Sequence, residues 1–247
     1  MWTIGGRYGD PMMRGLALAW IGLGILVAQG GPEAKAQTPD EEDDRPGVAV
    51  FPLEDGGSFG PDQEDLDALR VGLQQMLLTE LNQSQDLRVV ERSQLREILD
   101  EQDLAEEGRV DPSTAAQMGQ LVGARYMVTG SFVDLDRNFR MDARIIDVET
   151  SEILGTQRVE GDRGEMYDLV VEMASTVMEG VELPPLPGEQ RQERSDREIP
   201  GEAVTLYSRA LAFEERGETE RAVEVYQRIV DEFPDMVEAE EALEQLD

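Results

Sequence analysis

Cysteine and histidine are both missing from the 247 residues, and Lys35 is the only lysine among 22 basic side chains. The first two absences exclude disulfides, lipid attachment through a cysteine, thiol nucleophiles, serine–histidine triads and the usual zinc sites. Positive charge is scarce as well: 54 acidic residues leave a formal net charge of −32. Such a surface repels nucleic acid and anionic lipid headgroups. It suits high external salt, where the screening length falls to roughly 3 Å at 1 M. A GC-rich genome would account equally for the preference for arginine. Long apolar runs are missing too. The longest, Gly15–Ala28, is about 14 residues, short of the roughly 20 that a spanning helix needs.

That run follows Arg14 and precedes the small residues of Ala34-Lys35-Ala36, the order of a secretory signal peptide. Residues 1–36 are therefore expected to be a cleaved leader, with Met1, Met12 or Met13 as the start and Gln37 as the first mature residue. The alternative is an uncleaved anchor. The mature chain is expected to be exported, periplasmic and without a transmembrane helix. Residues 37–46, QTPDEEDDRP, have the composition of a disordered acidic tether.

Between residues 47 and 182 the pattern predicts a β-α-β-α-α-β-β-β-α order, hence an α/β domain with helices packed on a mixed sheet. Gly47–Leu53 reads as a buried strand ended by Pro52, and the following EDGGSFGPD as a loop. Leu66, Leu69, Leu73, Leu77 and Leu81 form one stripe of a helix over 62–83. A strand is expected at 87–90, then a helix through Leu95, Ile98 and Leu99. Asp111-Pro112 is a helix-start signal, and Gly123 a stop. Two strands joined near Asp136–Asn138 follow, then a third, ILGTQRVEG. The last helix carries Met166, Leu169, Val170, Met173, Val177 and Met178.

Four prolines and alternating charge mark 183–200 as a linker. From Ala203 to Leu246 the spacing of Tyr207, Ala210, Leu211, Gly217, Ala222, Val225, Tyr226, Ile229 and Phe233-Pro234 matches one tetratricopeptide repeat plus a partner helix. Residues 201–247 are thus expected as a small all-α helical-repeat unit. One repeat cannot bury a continuous core by itself. The unit should dock on its own domain, pair with another copy, or bind a partner.

VAVFPL at 48–53, ERSQL at 91–95, VDPSTAAQMGQLVGA at 110–124 and ARIIDVETSEIL at 143–154 together resemble the CsgG family of curli secretion proteins and its soluble relatives. In pore-forming members, membrane hairpins are inserted between the strands matching MVTGSF and MDARIIDV, and after the strand matching EILGTQ. Here those connections are VDLDRNFR and RVEGDRGEMYD, both too short for a pair of spanning strands. The resemblance implies the periplasmic body of the family without its pore. It points to a non-enzymatic, outer-membrane-associated assembly or adaptor protein that binds other envelope proteins, with homo-oligomer formation open. The alternatives are an LpoB-like regulator of a cell-wall synthase and a secretion-ring component.

No residue set supports catalysis, and neither a cofactor nor a metal site is expected. Ser93, where a strand passes into a helix, could cap that helix, but it has no plausible base beside it. Asp134, Asp136 and Asn138 share the opening spacing of a calcium loop. Phe139 and Ile145 occupy the places of its glycine and bidentate glutamate, so a polar hairpin tip is the better reading. The residues expected to meet a partner are Glu91 and Arg92 of the signature block and Tyr207, Arg209 and Tyr226 of the helical unit.

Overall fold

The computed structural model describes residues 43–58, 63–101, 111–184 and 188–246, which belong to one compact unit, Asp43–Asp247. The expected leader, and the tether as far as residue 42, lie outside the described residues. β1 (Gly47–Val50) is short because Pro52 has no N–H to give a sheet. The chain resumes at once as β2 (Glu54–Asp55), inside a stretch expected as loop. Both strands run parallel to β4 (Tyr126–Leu135), and β3 (Arg88–Val89) lies on the other side of β1. β5 (Asn138–Asp147) and β6 (Ile153–Asp162) add antiparallel, giving the order β3-β1-β4-β5-β6. The sheet is mixed, as the pattern predicts.

Side-chain alternation sends successive residues of β1 to opposite faces. Val48 and Val50 meet α1 (Gln63–Leu81) and α4 (Met166–Gly180). Ala49 and Phe51 meet α2 (Arg92–Glu101) and α3 (Pro112–Leu121). The α1 leucine stripe and the six predicted apolar positions of α4 are all buried. A fully buried leucine stabilises by roughly 1.5–3 kcal/mol, so this face is the main apolar core. α3 starts as its sequence dictates: Asp111 accepts from the Ser113 and Thr114 N–H groups at 2.9 and 3.1 Å, with Pro112 at the first helical position. Hydrogen bonds from the Ser113 and Thr114 hydroxyls, with these N–H groups behind them, hold its carboxyl well below the usual range. Gly123, at φ +65°, ends the helix. α2 departs from expectation, because it begins at Arg92 and the Glu91 carbonyl accepts from Gln94 and Leu95. Ser93 therefore lies inside the first turn and is not the cap.

β4 and β5 are joined by Asp136 and Arg137 alone, at φ 49° and 70°, the backbone of a tight two-residue hairpin. Asp134 points inward and pairs with Arg163 at 2.9 Å. The D-x-D-x-N spacing is thus a hairpin tip, and the described residues contain no acidic cluster able to hold a metal ion.

Four more helices follow: α5 (Gly188–Ser195), α6 (Gly201–Glu215), α7 (Thr219–Glu232) and α8 (Val237–Leu246). α6 lies on the outer face of α1, so α1 is buried on both sides. The approach depends on Gly72. A Cβ there would sit 2.8 Å from the Ser208 Cα and closer still to its side chain. Ser208 fits because its hydroxyl donates back to the Val204 carbonyl at 2.7 Å and leaves no unpaired group in the contact. At the other end of α6, a Cβ on Gly201 would press on the Arg163 carbonyl. The helical unit docks on its own domain, with α6 packed against α1.

Gly72→Ala is expected to cost about 1–3 kcal/mol, the range for overpacking a tight contact. Ser208→Gly in the same chain should recover part of the loss. Denaturant midpoints measure both. An unchanged midpoint for Gly72→Ala would mean that α6 does not rest on α1 in solution.

Candidate functional site

Besides the Arg209–Asp65 pair between α6 and α1, two ionic clasps hold the helical unit on the α/β body. In the first, Arg92 at the start of α2 reaches Glu215 at the end of α6, at 2.7 Å, and Arg96 donates to the Glu215 carbonyl at 3.2 Å. The second is more deeply buried. Arg197, just beyond α5, donates to both oxygens of Glu238 on α8 at 2.8 and 2.6 Å, and to the Tyr167 hydroxyl on α4 at 2.7 Å. Tyr167 in turn donates to Glu80 of α1 at 3.2 Å, and Arg194 stands 3.6 Å from that carboxylate. Described residues of the expected linker are thus an ordered strap: Arg194 of α5 and Arg197 just beyond it tie α8 to α1 and α4. Burial raises the Glu80 carboxyl above the ordinary glutamate value, and its Oε2 has no partner.

The end of α6 opens onto two adjoining grooves that share Glu215. One, about 450 Å³, is lined by Arg92, Ser93, Arg96, Glu97, Glu214 and Glu215. The other, about 210 Å³, runs between α1 and α6 over an apolar floor of Ala68, Val71, Ala212 and Phe213. Arg209 and Arg216 stand on its rim, and Arg209 also pairs with Asp65. A charged rim over a small apolar floor is chemistry for binding another protein surface.

Of the residues expected to meet a partner, Arg92 and Arg209 lie on this strip, and Glu91 is exposed beside Arg92. Tyr207 and Tyr226 do not reach the surface. They are 4% and 0% exposed, their rings 5.8 Å apart, and the Tyr226 hydroxyl donates to Glu214 at 3.2 Å. As the larger side chains of the α6–α7 interface they support the strip from below. Glu214, Glu215 and Phe213 were missed as groove residues. The aromatic next to paired acids at the end of α6 was the available signal.

The build is one of helices on both faces of a mixed sheet, with a rimmed open groove at the end of α6. Residues 45–142 match the model of the CsgG family, described as the curli production assembly/transport component. No curated protein matches the chain. Among solved structures, Escherichia coli LpoB has 15% identity over 64% of this chain and 89% of its own, at a TM-score of 0.38. TolB from Acinetobacter baumannii has 16% identity over 57% of this chain and 28% of its own, at 0.36. Lipoprotein GNA1162 from Neisseria meningitidis has 14% identity over 55% and 96%, at 0.37.

Neither place where pore-forming members carry a membrane hairpin has one here. β4 turns into β5 through two residues, and β6 passes into α4 through a single short 3-10 turn at Arg163–Glu165. No described helix is long and apolar enough to cross a membrane.

Arg197→Met should cost about 1–3 kcal/mol, because the buried Glu238 carboxylate loses its two-pronged partner and keeps only Arg194, at 3.3 Å. Thermal or urea unfolding reports the loss, and wild-type stability would show the clasp to be open in solution. Glu80 gives a pH signature. Its folded pKa lies above the unfolded value of 4.5, so its contribution is full below that value and declines as pH rises through the raised one. Glu80→Gln should remove that decline, so the variant gains on wild type from acid towards neutral pH. Parallel stability–pH curves would refute the assignment.

Proposed function

We propose that this protein is a non-enzymatic adaptor of the cell envelope, exported to the periplasm and peripheral to the outer membrane, that binds other envelope proteins. The observation that carries the reading is the strip at the end of α6. There a signature segment of the CsgG-type domain and the helical unit together build one rimmed groove. The two short strand connections support a role other than pore formation. The charge pattern supports a protein partner over nucleic acid, because a net charge of −32 repels polyanions. Glu91, Arg92 and Arg209 are proposed as contact residues, with Glu215 as the anchor that keeps Arg92 in place.

A photo-reactive residue placed at Ser93 or Arg216 in the native host should give discrete adducts with envelope proteins. The same residue at Glu224, an exposed position on α7, should not. Adducts from Glu224 alone would move the docking surface elsewhere, and ion conductance of the purified protein in lipid bilayers would overturn the reading itself.

A further inference from the structure

β6 is the long open edge of the sheet. It spans ten residues, Ile153–Asp162, and pairs with β5 alone among the described residues. The opposite edge, β3, has only two residues. Exposed edges are normally blunted by proline, lysine, bulges or brevity. Ile153–Asp162 contains no proline or lysine, and its one irregularity, opposite Ile145/Ile146 of β5, leaves Leu154 unpaired at the very start of the strand. From Gly155 to Asp162 the pairing with β5 is regular, so the outer side presents eight residues of free ladder.

The order of charges along this edge decides what can lie against it. Val159 is buried on the α4 side of the sheet, so Arg158 and Glu160 point to the other face, where both are exposed. Arg158 uses its Nε to reach Asp142 at 2.6 Å, which leaves its terminal nitrogens available. A second copy approaching antiparallel must keep its own apolar side on the same face, so a two-fold register can be centred only on a residue, not between two. Centring on Arg158 or Glu160 opposes like charges at the axis. Centring on Gly161 sets Glu160 against Asp162, whereas centring on Gln157 or Thr156 brings no opposite charges together and runs the shared ladder across the irregularity at Leu154. Centring on Gly155 or earlier leaves at most the short stretch Ile153–Gln157 as shared ladder. Centring on Val159 places Arg158 opposite Glu160 of the second copy, twice, and opposes no like charges.

We infer that β6 is a self-recognition edge, and that two copies of this chain join through antiparallel β6–β6 pairing about Val159 into one continuous sheet. The inference is independent of the groove at α6, which lies on other elements. Edge pairing alone makes a small interface, so the dimer belongs to the weak, concentration-dependent class. Glu165, beside Gly161, brings further negative charge to the edge, and each copy is strongly acidic. Association should therefore strengthen as salt screens the long-range repulsion, while contacts shorter than the screening length persist.

Sedimentation equilibrium of the purified full-length protein, at about 0.15 M and about 1 M salt, tests this. The wild type should show a monomer–dimer equilibrium that tightens at the higher salt. Arg158→Glu and Glu160→Arg should each weaken self-association about tenfold or more, the effect of roughly 1.4 kcal/mol. An equimolar mixture of the two variants should dimerise again. In the mixed pair, an edge acidic at both positions faces an edge basic at both, so each cross-axis contact joins opposite charges. The recovery separates register from misfolding, since a misfolded variant would not be rescued by mixing. A wild type that stays monomeric at both salts, variants that self-associate as the wild type does, or a mixture that stays monomeric would each overturn the proposal.

Discussion

The contact between Gly72 and Ser208 is the constraint from which most of the architecture follows. Where two helices can approach until one has room only for a hydrogen, the outer face of α1 becomes interior. The buried polar residues of α1 each find a partner, on that face and on the inner one. Asp65 meets Arg209, Gln74 donates to the Val50 carbonyl at 2.6 Å, and Glu80 receives Tyr167. Asp65 is thus tied to α6, while β1 and α4 hold Gln74 and Glu80, although the Glu80 Oε2 is left without a partner.

Those links also place the groove. Since α6 is pressed on α1 and its last turn is caught by Arg92, the signature segment at the start of α2 and the helical unit share one rim. Neither part makes that surface by itself. The strap through α5 closes the other side, where Arg197 shares its donors between Glu238, Tyr167 and the Asp235 carbonyl. An arginine can do this because its planar fork carries five donors, whereas a lysine at that position would be a single point charge.

Much of the fold is legible in the order of residues. The α1 and α4 stripes, the Asp111-Pro112 start, the Gly123 stop and the three long strands all rest on local periodicity or local hydrogen bonding, and they stand where expected. Less local features were not legible. β2 is two residues in a loop-like stretch and exists only because β4 runs beside it. α5 sits in a segment whose composition signals a linker, and the partners of Arg194 and Arg197 come from three other helices. Tyr207 and Tyr226 carried no local mark separating an interface aromatic from a core one. The small residues Ala68 and Gly72 on α1 and Ser208 on α6 were the one available hint of a close helix contact.

By itself, then, the sequence determined which segments become helix and strand, where they stop, and which face of each is apolar. These depend on neighbours within a few residues, on backbone freedom and on the periods of helix and strand. Tertiary structure alone decided that α1 has two buried faces, that the linker is a strap, that two predicted contact residues lie inside, and that β6 is left as an open edge. Each of these depends on which distant surface lies alongside, and that is set by fit and charge pairing between elements far apart in the chain.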